Sequence, residues 1–216
     1  MGYEKISIKR VQRHMKYLGI KSIVIKKYKP YKSKNKVYDK GENLLNRDFS
    51  TTKINEKWAA DITYIHSIKD GWTYLASILD LHTQKIVGYS YSKTMDTSIV
   101  LKALDNAIAI QKPDKVLIIH SDRGSQYTSN EYREAVESSA FKLSYSAKGC
   151  PYDNTCIESF HALLKKECVY LNTFIDYDHA NLVLFQYIKG FYNRKRIHSS
   201  INYMTPDKFE QICRAA

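Results

Sequence analysis

The chain has 216 residues, 44% of them hydrophobic, and a net charge of +12. That composition suits one sizeable core, or a core with a small appendage, and excludes a largely disordered protein. Its longest apolar runs are far too short to span a bilayer, the N-terminus shows neither a signal peptide nor a myristoylation pattern, and the four cysteines (Cys150, Cys156, Cys168, Cys213) form no zinc-type spacing and point to reduced thiols in the cytoplasm.

The charge is concentrated at one end. Residues 1–40 hold 13 Lys/Arg against two acids, Glu4 and Asp39, so almost the whole excess lies there. Such a segment suits a polyanion, because each neutralised phosphate releases counterions; DNA is the expected partner. Within it, residues 5–18 read as an amphipathic helix: Ile8, Val11, Met15 and Leu18 share a face, with Lys9, Arg10, Arg13 and Lys16 between them and Gly19 as the stop. Arg10 and Arg13 are the candidate phosphate contacts. Residues 26–40, rich in Lys and Tyr with Pro30 inside, read as a linker. A basic segment over 1–40 and a globular domain over 41–216 follow, with a core at about 54–170 and C-terminal helices over 171–216.

Three strand-like runs open that domain, at 58–66, 72–81 and 85–92, with Lys69-Asp70-Gly71 as a turn. Asp96-Thr-Ser caps a helix over 97–111, and Pro113 ends it. Residues 115–120 are almost wholly apolar, as in a strand buried on both faces. A helix over 129–140, a strand over 141–146 and helices over 155–170 and 179–194 complete the order β-β-β-α-β-α-β-α-α. A meander followed by crossovers implies an α/β fold with a mixed sheet flanked by helices.

Three acids stand out. Asp61 lies in Trp58-Ala-Ala-Asp-Ile-Thr-Tyr-Ile65, inside a strand, where an acid needs a reason. Asp122 lies in His120-Ser-Asp-Arg-Gly-Ser-Gln-Tyr127, just past the end of the buried strand, where open α/β sheets place ligands. Glu158 lies early in a helix, with Lys165 almost two turns on and on the same face. Hard cations such as Mg²⁺ and Mn²⁺ favour carboxylate oxygens, and two of them about 4 Å apart support in-line phosphoryl displacement. Taken singly, Asp122 also suits a turn, Asp61 a strand-edge ion pair and Glu158 a solvated helix surface; composition and spacing leave these readings open. The loop Tyr152-Asp153-Asn154 reads as the lead into the Glu158 helix, and the basic run Arg194-Lys-Arg-Ile-His198 as a phosphate contact or a solvated helix end. His66, His161 and His179 are assigned no role.

The set of motifs resembles one family closely. Asn43-Leu-Leu-Asn-Arg-Asp-Phe49, Trp58–Ile65, Leu79-Asp-Leu81, Lys85-Ile-Val-Gly88, His120–Ser129, Tyr152-Asp-Asn154, Glu158-Ser-Phe160, Tyr192-Asn193, Arg196-Ile-His-Ser199, Thr205-Pro206 and Phe209-Glu210 occur in the order found in IS3-family insertion-sequence transposases, which carry a retroviral-integrase-type catalytic domain. Thirty-five residues separate Asp122 from Glu158, the spacing of that family. The resemblance implies an RNase H-like fold. It implies that Asp61, Asp122 and Glu158 are catalytic and bind two Mg²⁺ (or Mn²⁺) ions, with Asp80 structural or supporting. It implies 3′-end cleavage by water and then attack of the freed 3′-OH on another phosphodiester. Lys165 matches the position that contacts the element's terminal DNA, and Lys148 and Asn154 fall near the mouth of the site. The implied partners are insertion-sequence ends, target DNA, further copies of this chain on DNA, and a separate N-terminal helix-turn-helix unit; residues 7–15 resemble the last helix of such a motif, and the helices before it are not in this sequence. No membrane is implied. A truncated non-catalytic DNA-binding regulator and a metal-dependent nuclease are the competing readings; the intact set of three acids argues against the first.

Overall fold

The computed structural model describes residues 6–21, 42–113, 116–147 and 150–215. The linker expected over 26–40, and with it the expected boundary near residue 40, lies outside the described residues. The chain divides into two compact units, Met1–Tyr31 and Lys32–Ala216.

The first unit contains helix α1, Ile8–Tyr17. It starts later than its apolar periodicity suggests, because the Ser7 hydroxyl accepts the Arg10 N–H at 3.3 Å and fixes the N-cap there. Gly19, at φ +66°, lets the chain close back, and the Ile20 N–H reaches the Met15 carbonyl at 2.8 Å. No residue of α1 is buried; Met15 on its apolar face is half-buried, and Arg10 and Arg13 are exposed.

The second unit is built on a five-stranded sheet in the order β3-β2-β1-β4-β5. Strands β1 (Lys57–Ser67), β2 (Gly71–Asp80) and β3 (Ile86–Ser92) form the expected antiparallel meander, turning at Gly71 with φ +70°. Helix α2 (Thr97–Gln111), capped by Asp96, crosses to β4 (Ile118–Ser121), which lies parallel to β1. Helix α3 (Asn130–Ser138) leads to β5 (Lys142–Tyr145), parallel to β4. A single 3₁₀ turn, Pro151–Asn154, opens α4 (Thr155–Glu167). Helix α5 (Tyr177–Phe185) follows.

Period-two alternation sends β1 residues to opposite faces. Trp58 and Ala60 join Ala76, Ile78, Val100, Leu104, Tyr132 and Val136 in the core under α2 and α3. Ala59 joins Leu75, Leu79, Ile157, Phe160, Leu164 and Leu184 in the core under α4 and α5. Gly88 lets α2 lie against β3: a Cβ there would stand 2.6 Å from the Ala107 Cβ and collide with the Ala103 carbonyl.

Strand β4 starts later than the apolar run over 115–120 suggests: Ile119, His120 and Ser121 are at or below 1% exposure, while Ile118 is half-buried and Val116, ahead of the strand, is 58% exposed. The helix expected over 179–194 begins two residues earlier, where Asp176 caps it, and continues as a π-helical segment, Gln186–Tyr192. A helix that was not expected, α6 (Pro206–Ala215), closes the unit. Lys85 ties it to the sheet through Asp207 at 2.7 Å and Glu210, and Arg214 ties it to Gln111 at 2.6 Å. Its signal was legible: the Thr205 hydroxyl accepts the Lys208 N–H at 3.3 Å, followed by Pro at the first helical position and Asp in the first turn.

Two histidines are locked inside this frame. His120 bridges β4 to the β5 end, contacting the Ser144 hydroxyl at 2.8 Å through Nδ1 and the Ser146 hydroxyl at 3.0 Å through Nε2. Burial lowers both His120 and His198 to about 4. A histidine whose pKa falls on folding binds fewer protons in the native state than in the unfolded chain, so its stabilising effect is complete above about pH 6.5 and is lost as pH drops toward about 4. Urea stability should therefore decline across that window, by about 1–3 kcal/mol per histidine. A His120→Asn variant, whatever its absolute stability, should show a shallower decline; an identical slope would contradict the neutral buried state.

Candidate active site

The site grows out of one register. On the parallel pair β1–β4, Ala59 stands opposite His120 and Ala60 opposite Ser121. One step further along both strands come Asp61 and Asp122. Asp61 shares the face of Ala59, which is the face α4 covers. Glu158 is in the first turn of α4. The sheet and one helix thus bring together the three acids marked out in the sequence.

Each acid has few internal donors. Asp61 accepts the Ile62 N–H at 2.8 Å, and its other oxygen lies 3.2 Å from His161 Nδ1. Asp122 accepts the Gly124 N–H at 3.0 Å, in a turn where a Cβ on residue 124 would stand 3.0 Å from the same carboxylate oxygen. The Asp122 carboxyl is raised, first by protein crowding it away from water and then by the like charge of Asp61. The residue still meets solvent, so the crowding cost is partial; the repulsion is the part that a cation reverses. The Glu158 carboxyl, half-buried, is raised by burial and then by Asp61 and Asp122. These are three mutually repelling hard-oxygen groups, a donor set that fits divalent cations such as Mg²⁺. Among the described residues no three His, Cys, Asp or Glu side chains stand grouped so as to hold a metal ion, so the three acids would have to draw closer around one.

Asp80 is a contrast. It is 1% exposed and its two oxygens accept five hydrogen bonds: Asn55 N–H, the Trp58 indole, His82 N–H, and the Thr83 N–H and hydroxyl. It pins the β2–β3 turn to the entry of β1 and is structural.

His161, to which the sequence reading gave no role, belongs to the site. It lies one turn past Glu158, with Nδ1 facing Asp61 and Nε2 3.4 Å from the Ser77 hydroxyl, directly across the β1–β2 ladder from Asp61. Its i+3 spacing from Glu158 was the available signal.

Of the DNA-contact candidates, Lys165 lies half-buried on α4, and no acid among the described residues pairs with it. Lys148 lies outside the described residues. Asn154 is 4% exposed, and its amide donates to the Ala60 carbonyl at 3.2 Å. It stands at the N-cap of α4 without capping it and braces the helix against β1. Within the basic run, Arg196 is committed to Glu167 at 3.1 Å and His198 is buried, which leaves Arg194 and Lys195 exposed.

Comparison with known proteins agrees with this frame. Residues 51–151 match the family described as Integrase core domain, and residues 139–206 match a second family of the same description. The chain is 36% identical over 209 residues to the Escherichia coli (strain K12) transposase InsF for insertion sequence IS3A, covering 97% of this chain and 72% of that protein. It is 39% identical over 202 residues to an insertion element IS600 uncharacterized 31 kDa protein of Shigella sonnei, covering 94% of this chain and 74% of that one. Among solved structures, a simian T-cell lymphotropic virus intasome bound to a PP2A regulatory subunit aligns with a TM-score of 0.62 at 18% identity, over 83% of this chain and 60% of that one. The HTLV-2 integrase catalytic core in complex with magnesium aligns with a TM-score of 0.54 at 19% identity, over 73% of this chain and 97% of that one. These two likenesses speak to the fold, which is RNase H-like. The alternative of a non-catalytic regulator gains no support from these relatives. With its integrase core domain and its identity to InsF over nearly its whole length, the chain belongs to the IS3-family insertion-sequence transposases.

Proposed function

We propose that Asp61, Asp122 and Glu158 are the catalytic triad of this transposase, and that they bind two Mg²⁺ (or Mn²⁺) ions used for 3′-end cleavage and strand transfer. The observation that carries the reading is the β1–β4 register, which sets Asp61 beside Asp122, together with a Glu158 carboxyl that both of them raise. The magnesium complex of the HTLV-2 core, on the same fold, supports the choice of ion. When bound, such ions activate the attacking oxygen and stabilise the leaving one.

The chain's own residues then have defined tasks. The three carboxylates hold the site's charge at one spot on a rigid sheet. His161 orients Asp61 from the side. Lys165 offers a point charge to a phosphate of the element end. In the first step water displaces the 3′-oxygen from phosphorus at the element end, leaving a 3′-OH. In the second, that hydroxyl attacks a phosphodiester of target DNA and its bridging 3′-oxygen leaves. Both are direct displacements, so no residue becomes covalently attached to DNA.

DNA binding and assembly on DNA follow from the family; the retroviral neighbour is itself an intasome. We further propose that a separate N-terminal helix-turn-helix unit recognises the inverted repeats, and that residues 1–40 form a basic segment distinct from the 41–216 catalytic domain, with Arg10, Arg13 and their neighbours contributing sequence-independent contacts to phosphates. Among the described residues no helix is long and apolar enough to cross a membrane.

Asp122→Asn should lower both cutting and joining of labelled element ends in Mg²⁺ by more than about 100-fold, beyond what loss of a mere supporting contact to a ligand costs. DNA affinity measured without metal should stay near that of the parent. Because Asp122 is raised by folding, its ionised form costs stability as pH rises above about 4, so the same substitution should raise the melting temperature of the metal-free protein at pH 7. A variant with parental activity would overturn the triad.

Removing residues 1–40 should flatten the dependence of DNA affinity on salt concentration, since each lost phosphate contact reduces the slope by about 0.9. A parental slope in a titration from low to moderate salt would show that this segment does not touch phosphates.

A further inference from the structure

Asp153 stands two residues before α4 and plays no part in the triad. Only 2% of it is exposed. Its Oδ1 accepts Arg47 Nε at 2.8 Å. Its Oδ2 accepts the Asn43 amide at 3.0 Å and the Ala147 N–H at 2.8 Å. Arg47 in turn donates to Cys150 Sγ at 2.8 Å and lies over the Tyr152 ring, 6.0 Å from its centroid. One buried carboxylate thus gathers the 43–47 segment and the strand-to-helix loop. The 43–47 segment pays for this in backbone strain: Asn46 and Arg47 have φ of 42° and 64°, consecutive left-handed residues without glycine.

The next residue acts on the other side. Asn154 donates to the carbonyl of Ala60, the neighbour of Asp61, and Glu158 follows one helical turn later. The Asn154 side chain does not cap α4, so these two anchors, with the Thr155 hydroxyl on the Tyr152 carbonyl at 2.7 Å and the buried Ile157, hold its N-terminal end. That end needs holding. Asp61 and Asp122 repel Glu158, and a helix start free to shift would carry Glu158 away from them.

We propose that Asp153, with Arg47 as its counter-ion, is a positioning residue: it fixes the first turn of α4 so that Glu158 stays within reach of an ion shared with Asp61 and Asp122. This rests on the triad reading above. Asp153 touches neither DNA nor ion; it acts through the helix start. The same clamp ties that helix start to residues 43–47, so Asn43, Arg47 and Asp153 act as one unit with Glu158.

The test is calorimetric titration of the full chain with Mn²⁺ alone, in the absence of DNA, with circular dichroism to establish folding. Asp153→Asn and Arg47→Gln should each weaken Mn²⁺ binding by about tenfold. The double variant should be no weaker than Asp153→Asn by more than about twofold, as expected of residues acting as one unit. Arg47→Gln keeps the measurement decisive if Asp153→Asn does not fold, because the Arg47 side chain is 58% exposed. Glu158→Gln separates the two levels. If it binds Mn²⁺ like the parent, the triad reading fails and this inference with it. If Glu158→Gln loses Mn²⁺ while folded Arg47→Gln and Asp153→Asn bind it like the parent, the triad stands and the positioning role is overturned.

Discussion

Placing one carboxylate on β1 beside another just past the end of its parallel neighbour β4 is the constraint from which the rest of this structure follows. Left to relax, Asp61 and Asp122 would separate, because the Asp122 carboxyl, crowded away from water, is raised further by the like charge of Asp61. A strand at a sheet edge could slide or bend away. Strand β1 cannot: it is paired over ten positions with β2 on one side and locked parallel to β4 on the other. Its alternate side chains are committed to two separate cores, so a slip of one residue would turn Trp58 and Ala60 onto the wrong face. The repulsion is therefore stored in a frame that cannot release it by small movements. It is relieved by protons or by cations; Glu158, carried on a helix, is the one of the three acids that the sheet does not hold.

The acids of this domain sort by how their oxygens are satisfied. Asp80 takes five donors and Asp153 three, and both hold backbone segments in place. Asp61 and Asp122 each accept one backbone N–H, and Glu158 is raised by burial and then by its two neighbours, without a compensating donor. Folding satisfies carboxylates where it can, since an unpaired buried charge is costly. A cluster left unsatisfied inside an otherwise well-bonded sheet is what a site awaiting a cation requires. The contrast also separates Asp80 from Asp61, although the two lie on paired strands.

Much of this was legible in the sequence, and the omissions have physical causes. The meander, the Asp96 cap and Gly71 were readable because each depends on a local rule. Asp61, Asp122 and Glu158 could be named, yet spacing alone did not distinguish a triad from a turn former, a strand-edge acid and a solvated helix residue; the family resemblance did. What escaped was non-local. His161 looked like a packing histidine because its partner Asp61 is a hundred residues away in the chain. Asn154 read as a surface loop residue because the Ala60 carbonyl that accepts its amide is equally distant. Helix α6 carried a readable start in Thr205-Pro206-Asp207, but its anchor, Lys85, sits on the far side of the sequence. The π-helical turn at Gln186–Tyr192 continues α5 without any Gly or Pro at its start to announce it.

Charge distribution connects this chemistry to its substrate. The excess of positive charge lies in residues 1–40, while the remainder of the chain carries nearly balanced charges. A face bearing three acids repels phosphate as strongly as it attracts cations. DNA can therefore approach that face only once the acids are neutralised, and only if other groups supply the affinity. Lys165, on the same helix as Glu158 and without an acidic partner among the described residues, is the group proposed for this above; the basic segment, whose helix α1 has no buried residue, is the other. On the proposed reading, binding energy and reactive charge fall to different parts of the molecule. Weakening the basic segment should lower occupancy of DNA without touching the chemistry of bound DNA, and altering the triad should do the reverse.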